Sequence, residues 1–149
     1  MLISLKYFKR STLKPSPNTQ CPCGSLIKYK KCCKPFHNGL IAKTAEELMR
    51  SRFCAYSINN ADYIIKTTHP DNPEYNLNTN SWEKDIRNFS DYTDFIALEI
   101  FETIEDGKES FVSFRAILRQ GKLDASFDEK SRFLKVKGKW LYVDGIFTD

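Results

Sequence analysis

Residues 95–118 read FIALEIFETIEDGKESFVSFRAIL, and apolar side chains recur at every second position on both sides of Asp106-Gly107. Ile96, Leu98 and Ile100 alternate with Ala97, Glu99 and Phe101. Val112, Phe114, Ala116 and Leu118 alternate with Phe111, Ser113, Arg115 and Ile117. Successive side chains of a strand point to opposite faces, so this period marks two strands. Asp-Gly between them suits the positive backbone φ of a tight hairpin turn. Further along, Gly121 and then Lys137-Gly138-Lys139 supply two more turns, which predicts strands near 123–136 and 139–147. The C-terminal half is therefore an antiparallel meander.

The period changes upstream. Thr44-Ala45-Glu46-Glu47 has capping-box spacing, in which the Thr hydroxyl accepts from the third helical amide and Glu47 reaches back to the Thr amide. Ala45, Leu48, Met49, Phe53 and Tyr56 then share one helical face, and Asn59-Asn60 is the predicted stop. A second helix is expected over about Ala61 to Thr67, ending before Pro70. Residues 70–80, PDNPEYNLNTN, read as a loop, after which Ser81 is expected to cap a short helix carrying Trp82, Ile86 and Phe89. Helices first and a meander afterwards give an α+β fold, with helices packed on one face of the sheet.

N-terminal to these elements, four of the five cysteines fall within CPCGSLIKYKKCC, as Cys21, Cys23, Cys32 and Cys33. The spacing C-x-C-x8-C-C supplies four soft ligands for one tetrahedral site, zinc above all, although a four-thiolate set also accepts iron. Gly24 lets the chain fold over the first pair. The second pair is adjacent in sequence, where neighbouring side chains diverge, so His37 stands as an alternative ligand to Cys33. A redox dithiol would want a thioredoxin-like pattern, which is absent. With protein filling all four positions, such a site is structural and has no place for substrate. Cys54, alone on the first long helix, reads as a small packed hydrophobe.

Charge is divided unevenly. Residues 1–43 hold nine bases and no acid, whereas the remaining 106 residues hold 14 bases and 19 acids, so a +9 segment adjoins a −5 body. Four thiolates and a divalent ion would still leave the segment at +7. A field of this kind suits an acidic protein, an RNA or a ribosome, and the plainer alternative is a solvated tail. The start, MLISLKYFKR, is interrupted by Lys6 and has no small-residue cleavage site, so the chain is expected to be cytoplasmic, with reduced thiols.

In the main domain, Arg52 lies in the middle of the apolar face of the first long helix, where a charge needs a partner. Glu129, Asp128, Asp62 and Asp144 are the candidates. Arg132 lies on a strand face with Leu134 and Val136, and His69 ends the second helix. One reading is a polar cavity in which Arg52, Arg132 and His69, with Tyr56 or Tyr63, bind an anionic small molecule. The reading favoured here is an arginine–carboxylate network that locks helix to sheet. No nucleophile–base pair is legible, so a non-enzymatic role is expected.

CPCGSLIKYKKCC resembles the SEC-C motif, the metal-binding tail of the SecA translocation motor. The strings MRSRFCAY (49–56), DYIIKTTHP (62–70) and SRFL (131–134) resemble the bacterial YchJ-like family, which joins a SEC-C motif to a domain similar to nuclear transport factor 2. The resemblance spans residues 20–147. It implies Cys21, Cys23, Cys32 and Cys33 as the ligands, and a curved sheet wrapped by helices into a cone with a cavity. It divides the chain into a basic tail (1–19), a SEC-C module (20–43) and the α+β domain (44–149). Lys28, Tyr29 and Lys30 match the motif's lysine and aromatic positions, and with Lys31 they form the expected partner-binding surface. Leu26-Ile27 departs from the motif's usual glycine and polar residue, which alters the recognition surface and leaves the ligands intact. Since the motif in the translocation motor engages the SecB chaperone and the ribosome, a SecB-like chaperone or the ribosome is the implied partner.

Overall fold

A computed structural model describes residues 16–148. The basic stretch before Ser16, with Lys6, Lys9, Arg10, Lys14 and Pro15, lies outside the described residues, as does Asp149.

Among the described residues four α-helices precede the sheet. A 3-10 turn, Tyr29–Lys31, leads into the short helix α1, Cys33–His37. Helix α2, Ala45–Ser57, starts at Thr44, whose hydroxyl accepts from the Glu47 amide at 3.1 Å. The Glu47 carboxylate reaches back one residue further than a capping box would place it, to the Lys43 amide at 2.7 Å. Asn59 takes a left-handed φ of 59°, which ends the helix. Asn60 then caps α3, Ala61–Lys66. The last helix, α4, is longer than the expected one and spans Thr79–Tyr92. Its cap is Asn78, whose side chain accepts from Ser81, so Ser81 lies inside the helix.

The sheet consists of β1 (Asp94–Asp106), β2 (Glu109–Gln120), β3 (Leu123–Asp124), β4 (Phe127–Val136) and β5 (Lys139–Thr148). Its order is β1-β2-β4-β5 with every pair antiparallel, and β3 continues the edge of β2. The single strand expected over 123–136 is broken at Ala125-Ser126. There the Asp124 carboxylate accepts from the Ser126 amide, the Ala125 amide donates to the Leu118 carbonyl, and the Ser126 hydroxyl bonds both the amide and the carbonyl of Leu118. Register shifts in β1 between Phe95 and Ala97, and again between Ile100 and Glu102, bend that strand. The first rotates Ile96 outward to 53% exposure, while Leu98, with which it was expected to share a face, is buried. On β2 the alternation holds, and Val112, Phe114, Ala116 and Leu118 all point into the core.

Leu48 and Phe53 of α2, Ile64 of α3, and Trp82 and Ile86 of α4 pack on this inner face. Parallel pairing of Thr68 with Tyr142, with hydrogen bonds from His69 N to Tyr142 O and from Tyr142 N to Thr67 O, ties the end of α3 to β5. Among the described residues no helix is long and apolar enough to cross a membrane.

Candidate functional site: metal centre and cavity

The cysteine segment folds as a small knuckle. Gln20 bridges Lys28, the Cys21 amide donates to the Ile27 carbonyl at 2.8 Å, and the Gly24 amide turns back to the Cys21 carbonyl. Gly24 holds φ at +82°, and a Cβ there would stand 3.3 Å from the Leu98 carbonyl oxygen, so both backbone angle and space favour glycine at this turn. Cys32 sits between the 3-10 turn and α1 with φ −117° and ψ −96°. This change of direction lets two adjacent cysteines face one point.

The four sulfurs of Cys21, Cys23, Cys32 and Cys33 lie within 4.8 Å of one another. Sulfurs placed tetrahedrally at ~2.3 Å around an ion stand ~3.8 Å apart. Cys23 and Cys32 are 3.5 Å apart, and Cys32 and Cys33 are 4.0 Å apart. The donor set and its spacing fit a tetrahedral thiolate-preferring ion. Burial, aided by the nearby Cys23 and Cys21 sulfurs, pushes the Cys32 thiol up to about 12, although a contact from Ser25 at 3.0 Å favours its thiolate. Sulfurs this crowded and buried ionise together only beside a cation. Cys21, Cys23, Cys32 and Cys33 therefore form a metal-binding cluster, with three of the four ligands buried.

His37 is placed elsewhere. Its Nδ1 accepts from the Tyr29 hydroxyl at 2.9 Å, and its Nε2–H donates to the Ser51 carbonyl at 2.9 Å. Tyr29, expected on the partner surface, is buried at 6% exposure as the other half of this contact, while Lys28, Lys30 and Lys31 are exposed. Tyr63, expected in the cavity, packs edge-on against His37 and bonds Ser51 Oγ at 2.7 Å. Cys54 is buried, as expected, but against the cluster: its sulfur is 3.8 Å from that of Cys21. Its contact with Cys21 first, and burial as well, hold its thiol above the ordinary range, so Cys54 remains a thiol beside the cluster. Spacing gave no sign of this fifth sulfur. Arg50 adds a bond to the Cys23 carbonyl at 2.9 Å.

On the other side of α2 a cavity of about 610 Å³ opens between α2, α4 and the inner face of the sheet. Arg52 and Tyr56 line it. The buried Arg52 has no carboxylate within 4.0 Å among the described residues. The Nη1 group donates instead to Thr67 Oγ1 (2.8 Å), Thr68 Oγ1 (3.0 Å) and the Ile64 carbonyl (3.2 Å). The guanidinium carbon lies 4.7 Å from the centre of the Tyr142 ring. Uncharged oxygens and an aromatic face thus replace the expected partners Glu129, Asp128, Asp62 and Asp144. Arg132 is on the opposite face of β4, where it grips Asp144 with two bonds of 3.0 Å and approaches Glu109 at 3.5 Å. His69 does not line the cavity, and its Nδ1 accepts from the Asp71 amide. Of the five residues expected to form the pocket, the structure brings together Arg52 and Tyr56.

A family description for the YchJ middle domain, similar to nuclear transport factor 2, matches residues 44–145, and the SEC-C motif matches residues 18–35. This chain belongs to the YchJ-like family. A SEC-C motif containing protein from Rhodopseudomonas palustris, whose solution structure is known, is 32% identical with a TM-score of 0.77, over 88% of this chain and all of that one. A crystal structure of a SEC-C motif containing protein from Psychrobacter arcticus is 26% identical, with a TM-score of 0.73, over 89% of this chain and 85% of that one. An LEH-like epoxide hydrolase from M. tuberculosis shares the fold at 16% identity and a TM-score of 0.50, over 68% of this chain and 80% of that one. Within the YchJ-like architecture, the SEC-C cysteines are the metal cluster described above, and the α+β domain supplies the cavity.

Proposed function

We propose that this YchJ-like chain is a non-enzymatic cytoplasmic adaptor whose zinc-held SEC-C module presents a basic, partly apolar surface to a protein partner. The observation that carries this reading is the joint display on one knuckle of Lys28, Lys30 and Lys31 with Leu26 and Ile27, which are 76% and 49% exposed. Leu26 takes a left-handed φ of 70°, so the backbone itself turns this side chain outward. An apolar tip ringed by lysines suits a partner with a hydrophobic groove and an acidic rim. The candidates are the partners that the SEC-C resemblance implies, a SecB-like chaperone or the ribosome. Zinc is proposed as the ion because four thiolates in tetrahedral spacing are its usual structural set, with no vacant position for chemistry. When bound, the ion holds the two turns of the knuckle together.

The test is direct binding of the metal-loaded chain to a purified SecB-like chaperone and, separately, to ribosomes. Lys28→Glu/Lys30→Glu/Lys31→Glu should weaken binding at least tenfold without loss of metal. Equal binding by the variant, or no binding by the wild type to either partner, overturns the adaptor reading. Binding to ribosomes that disappears after ribonuclease treatment, with a steep salt slope, would point to RNA instead.

A further inference from the structure

We propose that the cavity binds an organic cation with a flat apolar body, such as an aryl-alkyl amine. The expectation of an anionic ligand fails on the placement of its cations. Arg132 lies on the far face of the sheet and His69 does not line the space, which leaves Arg52, whose Nη1 is bonded to three oxygens and whose guanidinium lies over the Tyr142 ring.

The acids are placed differently. Glu129 points into the cavity from β4. Its Oε2 accepts from both the Ser131 hydroxyl and the Tyr142 hydroxyl, the latter at 3.1 Å, while its Oε1 receives no hydrogen bond from the described residues. The carboxylate is thus fixed in direction with one oxygen free. Burial first, and then the negative charge of Glu129, hold the Tyr142 phenol above its ordinary range, so it remains a donor. Glu74 and Asp85 line the exposed rim. Three carboxylates therefore line the space against one guanidinium, whose Nη1 is bonded within the protein.

The apolar walls suit the rest of such a ligand. Phe53, Phe95, Phe114 and Trp82 present rings to the space, and a volume of about 610 Å³ falls in the usual range for small-molecule pockets. Aromatic faces and carboxylates both attract a cation, the first through their quadrupole and the second through charge, and both do so more strongly away from water. A carboxylate ligand of the same shape would meet three like charges instead.

Three probes of nearly equal shape separate the alternatives: tryptamine, indole-3-propionate and 3-ethylindole, titrated calorimetrically into the metal-loaded full chain. Tryptamine should bind at least tenfold more tightly than either of the others. Glu129→Gln should remove most of that preference while leaving 3-ethylindole unchanged. Should Glu129→Gln fail to fold, Glu74→Gln/Asp85→Asn at the exposed rim should reduce the preference about threefold. Equal or tighter binding of the propionate, a preference that survives these substitutions, or no binding of any probe at millimolar concentration would overturn the proposal.

Discussion

The imidazole Nε2–H of His37 donates to the backbone carbonyl of Ser51 across the junction of the SEC-C module and helix α2, at 2.9 Å. A carbonyl can only accept, so the ring carries its proton on Nε2, and Nδ1 is free to accept from Tyr29. A second proton would force Tyr29 to turn its own hydrogen away.

This contact sets a pH dependence. Burial is the first cause lowering His37 below its ordinary value of 6.5. The unfolded chain takes up the proton first, so stability from this residue is complete above pH 6.5 and is lost as pH falls from there toward the lower folded value. Urea unfolding measured from about pH 8 to about pH 5.5 should show midpoints declining through the lower part of that range. In His37→Gln the decline should be shallower, which separates it from protonation of the metal ligands.

Cys23→Ser and Cys54→Ala should behave oppositely. The first removes one of the four clustered sulfurs, so the metal content of purified protein should fall from one ion per chain toward none. The second removes a neighbour that is 3.8 Å from Cys21 and outside the set of four. Metal content should remain, and transfer to a chelator should become about tenfold easier, as is usual when a group that supports a ligand is lost. Loss of metal in Cys54→Ala would make that cysteine a ligand.

Arg52→Met should destabilise the fold by about 3 kcal/mol in urea unfolding, because Thr67 and Thr68 lose a buried charged donor and Tyr142 loses its stacked cation. Arg52→Lys should recover only part of this, since an ammonium cannot both span those oxygens and lie flat on the ring. Full stability in Arg52→Met would show that the network is dispensable.

Arg132→Ala makes the contrast. Its bonds to Asp144 and Glu109 lie on the outer face with the arginine one-third exposed, so the cost should stay near 1 kcal/mol or below. Binding of tryptamine should be unchanged. A large loss of affinity would place Arg132 in communication with the cavity.

Much of this arrangement was legible in the residues themselves. Four cysteines in a short span leave few alternatives to one metal cluster, and the alternation through Leu118 fixed the inward face of β2. Arg52 in mid-face announced a buried charge, but its partners are hydroxyls, a carbonyl and a ring, which carry no charge pattern to search for. Cys54 lies on an element remote in sequence from its sulfur neighbours, so spacing could not assign it. Tyr29, between lysines, looked like surface because period alone does not show what a 3-10 turn buries. The break at Ser126 and the shifts in β1 have no distinctive composition, so strict alternation puts Ile96 on the face of Leu98, whereas the shift at Phe95–Ala97 turns it outward.

Helix α2 is covered on two sides. Cys54 and its neighbour Ile58 pack against the cysteine cluster, while Phe53 and Tyr56 turn toward the sheet and the cavity. A chain trimmed to begin at residue 44 would keep every residue of the matched YchJ middle domain and still lack one wall. Cys54 would meet water and oxidants, and Ser51 would lose the imidazole from its carbonyl. The border drawn by sequence similarity is thus a poor place to cut, and oxidative dimers through Cys54 are the expected signature of having cut there.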